Sequence, residues 1–170
     1  MAFIRTKKVK GNEYAYIVRN KWKKKDKGTR QKVKAYLGRV YRLSPINEVK
    51  FEDSISCGLD EYLEKTNRQR IIKDLVRYEL LKHGFVKRGK VHVNGECIVD
   101  IEKKKVYNSR KSKAALGINE GFLCNYYLRR LLRFDESGEE EEVGYKLAKL
   151  FVESGIAIPQ EVFIAYFNKI

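Results

Sequence analysis

The residues of this chain that could do chemistry are concentrated in its first third, where lysines and arginines alternate with aromatic side chains. Residues 1–50 hold 16 Lys or Arg against three acids, whereas residues 51–100 hold nine of each. The whole chain of 170 residues has a formal charge of +15, so almost all of the excess lies in this first stretch. A charge excess confined to one segment indicates a polyanionic partner, since solubility alone requires no such clustering.

A basic β-strand could bind a nucleic acid through the regular spacing of its side chains. Alternate residues on one face of a strand lie about 6.6–7 Å apart, close to the distance between phosphates along a nucleic-acid strand. Lysine and arginine at that spacing neutralise phosphates, and tyrosine or tryptophan beside them stacks on bases. We therefore expect a nucleic-acid-binding surface near the N-terminus. Its predicted members are Arg5, Lys7, Lys8, Tyr16, Arg19, Lys21, Trp22, Lys23, Lys24, Lys25, Lys27, Arg30, Lys32, Lys34 and Tyr36.

Three segments with strand character must position these residues. Residues 3–9, 14–22 and 29–42 contain many β-branched and aromatic side chains. Gly11 and the lysine-rich tip at 23–28 supply the turns between them. The sequence thus predicts a three-stranded antiparallel sheet. Because such a small sheet has little core of its own, one of its faces must pack against the rest of the chain.

The pattern of the third strand also predicts which of its residues share a face. Strict alternation would place Lys32, Lys34 and Tyr36 together on one face. Val33, Ala35 and Leu37 would then lie on the other face, which we expect to be the packed one.

The rest of the chain is expected to form a body of helices around a few short strands. Residues 44–47 contain a proline and break the pattern, so we divide the chain into a basic module, 1–43, and a body, 47–170. Asn94-Gly95 predicts a type I′ hairpin within a β-meander at 91–107. The predicted fold class is α+β, with the three-stranded basic sheet followed by a mostly helical body.

Apolar residues at helical spacing predict five helices in the body. Asn67 is the expected N-cap of the second helix. The predicted positions are 59–65, 68–83, 120–134, a fourth helix that ends at Gly155 and a fifth that begins at Pro159.

The first 40 residues resemble a known family of DNA-binding segments. Their order of basic, aromatic and glycine residues is similar to the N-terminal segment of IS4-like transposases, which precedes the catalytic domain of those enzymes. The resemblance implies DNA binding in preference to RNA binding. It argues against transposition, because about 130 further residues are too few for a transposase catalytic domain. The matching residues are Arg5, Lys8, Gly11, Tyr14, Val18, Trp22, Asp26, Gly28, Arg30, Gln31, Leu37 and Gly38.

Three other hypotheses place a function in the body. Asp100, Glu102 and Lys104 are loosely similar to the carboxylates and lysine of metal-dependent nucleases, which hold Mg²⁺ and polarise water. The order of helix and hairpin at 68–101 is also that of a winged helix, whose helix would present arginines and lysines to a groove.

The third hypothesis starts from a glycine and an aromatic residue, at 84 and 85, that end a helix before a β unit. This order is similar to the tRNA-splicing endonuclease fold, in which His92, Tyr107 and Lys113 would be acid, base and charge stabiliser.

Composition bounds the remaining possibilities. The three cysteines are isolated and no Cys-x-x-Cys pair occurs, so we expect reduced thiols, no metal site and no cofactor. No apolar run approaches the roughly 18 residues of a membrane span. The N-terminus lacks the apolar region of a signal peptide, and few Gln and Met residues are typical of thermophiles. We expect an archaeal cytoplasmic protein associated with the nucleoid or, as an alternative, with rRNA in the ribosome.

Overall fold

A computed structural model describes residues 2–23, 28–134 and 137–168, without the side chains of Lys23 and Thr29. The chain begins with three antiparallel strands, which are β1 (Ala2–Val9), β2 (Asn12–Lys23) and β3 (Gly28–Arg42). The predicted three-stranded antiparallel region is therefore confirmed. The predicted tip at 24–27, with Lys24, Lys25 and Lys27, lies outside the described residues.

Two further strands extend this region into a five-stranded sheet. Strands β8 (Ala114–Ile118) and β9 (Gly121–Cys124) follow one another in the chain, and β8 pairs in parallel with β3. The strand order is β1-β2-β3-β8-β9. The sequence pattern gave no strand here, because all five residues of β8 are buried and show no alternation of polar and apolar side chains. The prediction of one helix over 120–134 was wrong at its start, where β9 stands.

A second antiparallel sheet of four strands accounts for the predicted β-meander. Its strands run in chain order, and the first of them, β4, was not predicted because it has only three residues, all exposed. They are β4 (Val86–Arg88), β5 (Val91–Asn94), β6 (Cys97–Asp100) and β7 (Lys105–Asn108).

Five α-helices pack on and between the sheets in the described part of the chain, as an α+β fold requires. The Asn67 side chain caps the second helix by accepting a hydrogen bond from the Arg70 backbone N–H at 2.9 Å, which is typically worth about 1 kcal/mol. The helices are α1 (Leu59–Lys65), α2 (Arg68–Lys82), α3 (Asn125–Leu132), α4 (Glu140–Ser154) and α5 (Gln160–Phe167). None of them is long and apolar enough to cross a membrane.

One hydrophobic core joins the first sheet to the helices. Ile17, Leu37 and Val40 belong to the same buried cluster as Leu128 of α3 and Leu147 of α4. The predicted boundary at residues 44–47 lies in the loop after β3. The first sheet and its core nevertheless continue across that boundary, because β3 pairs with β8.

A buried carboxylate ties α2 to the distant end of the chain. Glu79 is fully buried and accepts hydrogen bonds from Asn119 Nδ2 at 2.9 Å and from the Ala157 backbone N–H at 3.0 Å. Lys82 Nζ lies 3.7 Å from the same carboxylate. Burying a charge is costly unless it is paired and hydrogen-bonded, and these partners meet that requirement.

Candidate nucleic-acid interface

The outer face of the first sheet carries a cluster of tyrosines flanked by cations. Tyr16 and Tyr36 lie directly opposite each other on β2 and β3, with ring centroids 5.4 Å apart. The Tyr14 ring lies 6.4 Å from Tyr36. On the edge strand β1, Arg5 and Lys7 stand opposite Tyr16 and Tyr14. Since directly paired residues share a face, these five side chains form one surface, which we call the tyrosine face.

A hydrogen bond spans the tyrosine face, and partial burial keeps one of its hydroxyls protonated. The Arg5 guanidinium donates a hydrogen bond to Gln31 Oε1, so it reaches across β2 to β3. Partial burial, reinforced by the neighbouring Tyr16 and Tyr14, raises the pKa of Tyr36 above its usual value of 10.0. The hydroxyl of Tyr36 therefore remains a hydrogen-bond donor at neutral pH.

Beyond the core, β2 and β3 continue as an exposed two-stranded ribbon. Every side chain described from residue 19 to 22 and from 30 to 34 is exposed, and Trp22 retains 67% of its surface. We call residues 19–23 and 28–34 the arm. Arg19 pairs directly with Lys32, and Lys21 pairs directly with Arg30. Arg19 and Lys21 alternate with Trp22 along β2, so they and their two partners project from the face opposite Trp22. Ile17 enters the core from the same face as these four cations.

The arm corrects the predicted arrangement of the third strand. Val33 pairs with Val18, whereas Ala35 pairs with Ile17, so Lys34 between them has no directly opposed partner. Such a bulge sets two residues against one and reverses the alternation beyond it. As a result Lys32 lies on the inner face with Arg19, while Tyr36 lies on the outer face. The prediction that Lys32, Lys34 and Tyr36 share one face was wrong.

Three neighbouring cavities continue the inner face of the arm across the body. We call them the α4 cavity, the middle cavity and the lysine cavity, with volumes of about 340, 310 and 560 Å³. Tyr126 and Arg130 of α3 line both the α4 cavity and the middle cavity. Lys113 and Arg129 line both the middle and the lysine cavity. The three cavities therefore form one groove, which begins beside Ile17 and Ala35 at the base of the arm.

The lysine cavity concentrates positive charge. Asp100 is the one acid along its wall; it is buried, and its Oδ1 accepts a hydrogen bond from the Lys103 backbone N–H at 2.9 Å. Within the described ranges, none of the cations of this cavity forms an ion pair with an acidic side chain. The positive charge of this wall is therefore not neutralised by acidic side chains of the described residues. The cations are Lys103, Lys105, Lys111, Lys113 and Arg129.

A rigid loop presents two of these lysines. Asn108 Oδ1 accepts hydrogen bonds from the backbone N–H groups of Arg110 and Ser112, each at 3.0 Å. The Asn108 side-chain amide donates to the Tyr41 hydroxyl of β3 at 3.2 Å. These bonds fix the loop that carries Lys111 and Lys113. The backbone from which these lysines extend is thus held in one conformation, which reduces the backbone entropy lost when a ligand binds.

Gly38 lets this loop approach β3. Its φ is +131°, a conformation that L side chains rarely adopt, and an added Cβ would overlap the Lys113 carbonyl group. The Arg39 backbone N–H donates to that carbonyl at 3.3 Å. The basic loop therefore sits directly against the sheet that carries the arm.

The residues of the nuclease hypothesis do not converge. The Glu102 carboxylate contacts Lys73 at 2.6 Å and Arg77 at 3.4 Å on α2, and the bond to Lys73 lowers the pKa of Glu102. Asp100 faces the lysine cavity instead, and Lys104 lies in the turn between β6 and β7 with a φ of +56°. Among the residues that the structure describes, no group of three or more His, Cys, Asp or Glu could hold a metal ion.

The residues of the endonuclease hypothesis lie in two different cavities. His92 lines a separate cavity of about 240 Å³ with Arg77 and Lys87, whereas Tyr107 and Lys113 line the lysine cavity. The three proposed endonuclease residues are therefore not brought together. Burial, followed by the charges of Arg77 and Lys87, lowers the pKa of His92 below its usual 6.5.

Three of the cations that the helix of a winged helix would present, all on α2, are already paired. Arg70 contacts Asp74 at 2.9 Å, and Arg77 contacts the same carboxylate at 2.6 Å. Lys73 is bound to Glu102. This face of α2 is thus an ion-pair network, in contrast to the unpaired lysine cavity.

The groove cations of the body were not among the predicted binding residues. Five Lys or Arg residues cluster within 103–111, which is a visible charge signal in the sequence. The convergence of that cluster with Arg129 depends on how β7, β8 and α3 pack, which no local pattern shows.

Comparison with models of known protein families, with curated proteins and with solved structures found no match for this chain.

Proposed function

We propose that this protein binds nucleic acid, without catalysing a reaction, along the inner face of the arm and the groove that continues it. On the outer face of the same sheet, the tyrosine face, with Tyr16 and Tyr36, and the exposed Trp22 form a second, separate surface on which bases can stack. DNA is favoured over RNA on the basis of the transposase-like segment at the N-terminus. An rRNA-associated role in the ribosome is the alternative.

The observation that carries this proposal is the pair of like-charged contacts on the arm. Arg19 stands opposite Lys32, and Lys21 stands opposite Arg30. Like charges directly opposite each other destabilise a sheet. Among the described residues, no acidic side chain forms an ion pair with any of the four. An extended polyanion would remove the repulsion, and its binding would release counterions.

The proposal is tested by neutralising the arm and measuring how binding depends on salt. We expect Lys21→Gln with Arg30→Gln to reduce the salt slope of binding by up to about 2 units on duplex DNA, because about 0.9 unit is lost for each phosphate contact. Fluorescence anisotropy of a labelled duplex and a labelled single strand, titrated from about 50 to 200 mM salt, measures the slope.

The matched control removes two exposed cations from the second sheet and its turn. Arg88→Gln with Lys90→Gln changes the net charge equally, and neither residue belongs to the arm or lines a cavity of the groove. We expect the control to retain the wild-type slope. Equal slopes for both double variants would contradict the proposed interface, and the absence of binding at about 150 mM salt would favour an acidic protein as partner.

The nature of the nucleic acid is tested separately. The wild-type chain, immobilised and exposed to a mixture of duplex DNA, tRNA and rRNA fragments, should retain DNA in preference. Retention of rRNA fragments alone would favour the ribosomal alternative.

A further inference from the structure

The α4 cavity differs in character from the rest of the groove because aromatic rings line it. Tyr145 of α4 is 68% exposed and Tyr126 of α3 is 38% exposed, and both line the cavity. Ala2 of β1, which pairs with Arg19 of the arm, also lines the cavity. Exposed aromatic residues from separate elements that meet at one cavity are typical of a site for a flat, unsaturated ligand.

The charges around this cavity are mostly compensated. Arg130 Nη1 and Lys149 Nζ lie 3.8 and 3.9 Å from the Glu153 carboxylate, and Lys146 pairs with Glu142 at 2.8 Å. The cavity therefore attracts a free anion less than the unpaired lysine cavity does. It is suited to a neutral ligand that has a flat ring and polar edges.

Hydrogen-bond donors and acceptors for the polar edges of such a ligand lie beside the tyrosine rings of the cavity. The Arg130 guanidinium lies 5.5 Å from the centroid of the Tyr126 ring, and Glu153 lines the same cavity. Arginine donates hydrogen bonds to carbonyl oxygens and ring nitrogens of bases, and a carboxylate accepts from exocyclic amino groups. An unstacked base offers all of these groups on its edges.

We propose that the α4 cavity binds one unpaired nucleobase, stacked on Tyr145, while the adjoining backbone lies along the inner cations of the arm. The substrate class is then single-stranded nucleic acid, or a duplex with an unpaired nucleotide, since a base inside a duplex cannot enter a cavity. This inference rests on the proposed nucleic-acid binding.

The test uses three labelled probes and the full-length protein. They are a single strand of about 12 nucleotides, a fully paired hairpin and the same hairpin with one unpaired nucleotide. We expect the wild-type protein to bind the fully paired hairpin more weakly than the other two. Tyr145→Ala should weaken binding of the single strand and the bulged hairpin about tenfold, since stacking on one aromatic residue contributes that much. Binding of the fully paired hairpin should hardly change.

Two control variants separate stacking from a general disturbance of α4. Tyr145→Phe keeps the ring and should retain wild-type affinity. Val152→Ala, at a 58% exposed position of the same helix outside the cavity, should leave all three affinities unchanged. Far-UV circular dichroism checks that each variant is folded.

The outcomes distinguish this inference from the function on which it rests. Equal binding of all three probes by wild type and Tyr145→Ala would overturn the base site and leave nucleic-acid binding intact. A similar loss on the fully paired hairpin would also overturn it. No binding of any probe would overturn both.

Discussion

At Gly38, both the fold and the candidate interface depend on the absence of a side chain. Its positive φ and the close Lys113 carbonyl exclude a Cβ for two separate reasons. We expect Gly38→Ala to lower the free energy of unfolding by about 3 kcal/mol, since backbone strain alone costs about 1–3 kcal/mol. It should also weaken nucleic-acid binding, because the basic loop must move away from β3. Urea unfolding and anisotropy measure the two effects.

Gly11 offers a matched control for the free-energy cost of a positive φ alone. Its φ is +80°, but nothing lies within 4 Å of an added Cβ. Gly11→Ala should therefore lose about 1–2 kcal/mol, the cost of a left-handed residue alone. If both variants lose the same stability, the close approach of the loop contributes nothing.

His92 should make stability depend on pH. Its pKa is lowered below the usual 6.5 by burial first and by Arg77 and Lys87 next. As pH falls below 6.5, the unfolded chain takes up a proton that the folded protein resists, so folded stability falls as pH decreases. The limiting slope for one group is about 1.4 kcal/mol per pH unit.

Replacing the imidazole with an apolar ring isolates this contribution. We expect His92→Phe to lose less stability than wild type between about pH 7 and 5, as measured by urea unfolding. His83 is present in both proteins and its effect cancels in the comparison. Identical pH profiles would show that His92 takes up no additional proton on unfolding in this range.

At the scale of elements, local chemistry predicted some boundaries well. Helix α2 begins after Asn67 and helix α4 ends before Gly155, whose φ is +74°. Capping acts within one turn, so the sequence contains the whole signal. The bulge at Lys34 and the uniformly buried strand β8 left no such local signature. For that reason the face of each arm residue and the position of the groove could not be predicted.

The repulsion between like charges on the arm should lower its local stability while the same charges favour nucleic-acid binding. Replacing Lys32 with Glu places a carboxylate opposite Arg19, and an opposite-charge pair across strands contributes roughly 0.2–1 kcal/mol. We expect Lys32→Glu to slow amide hydrogen exchange in the arm and to weaken nucleic-acid binding. Hydrogen-exchange mass spectrometry and anisotropy give the two readouts.

The bulge supplies the matched variant for this experiment. Lys34→Glu makes the same change of charge but has no directly opposed partner. It should weaken binding without slowing exchange. Faster exchange in Lys32→Glu would contradict the inference that repulsion between Arg19 and Lys32 weakens the arm.

At the scale of the whole molecule, the basic N-terminal segment depends on the body. Ile17, Leu37 and Val40 are buried in the common core, and β3 pairs in parallel with β8, from Arg39–Ala114 to Arg42–Gly117. We expect a fragment of residues 1–43 to be unfolded by far-UV circular dichroism, because a small sheet without a packed face is marginal. A folded fragment with the affinity of the full chain would instead show an independent module, as the charge distribution alone suggests.

The position of Trp22 has a spectroscopic consequence. It is the one tryptophan of the sequence, and it lies on the exposed arm with 67% of its surface in solvent. Its indole emission therefore reports contact at the arm and responds little to the packing of the core. A denaturation curve followed by tryptophan emission would miss most of the cooperative transition, whereas quenching of that emission by a bound polyanion would count occupancy of the arm without any added label.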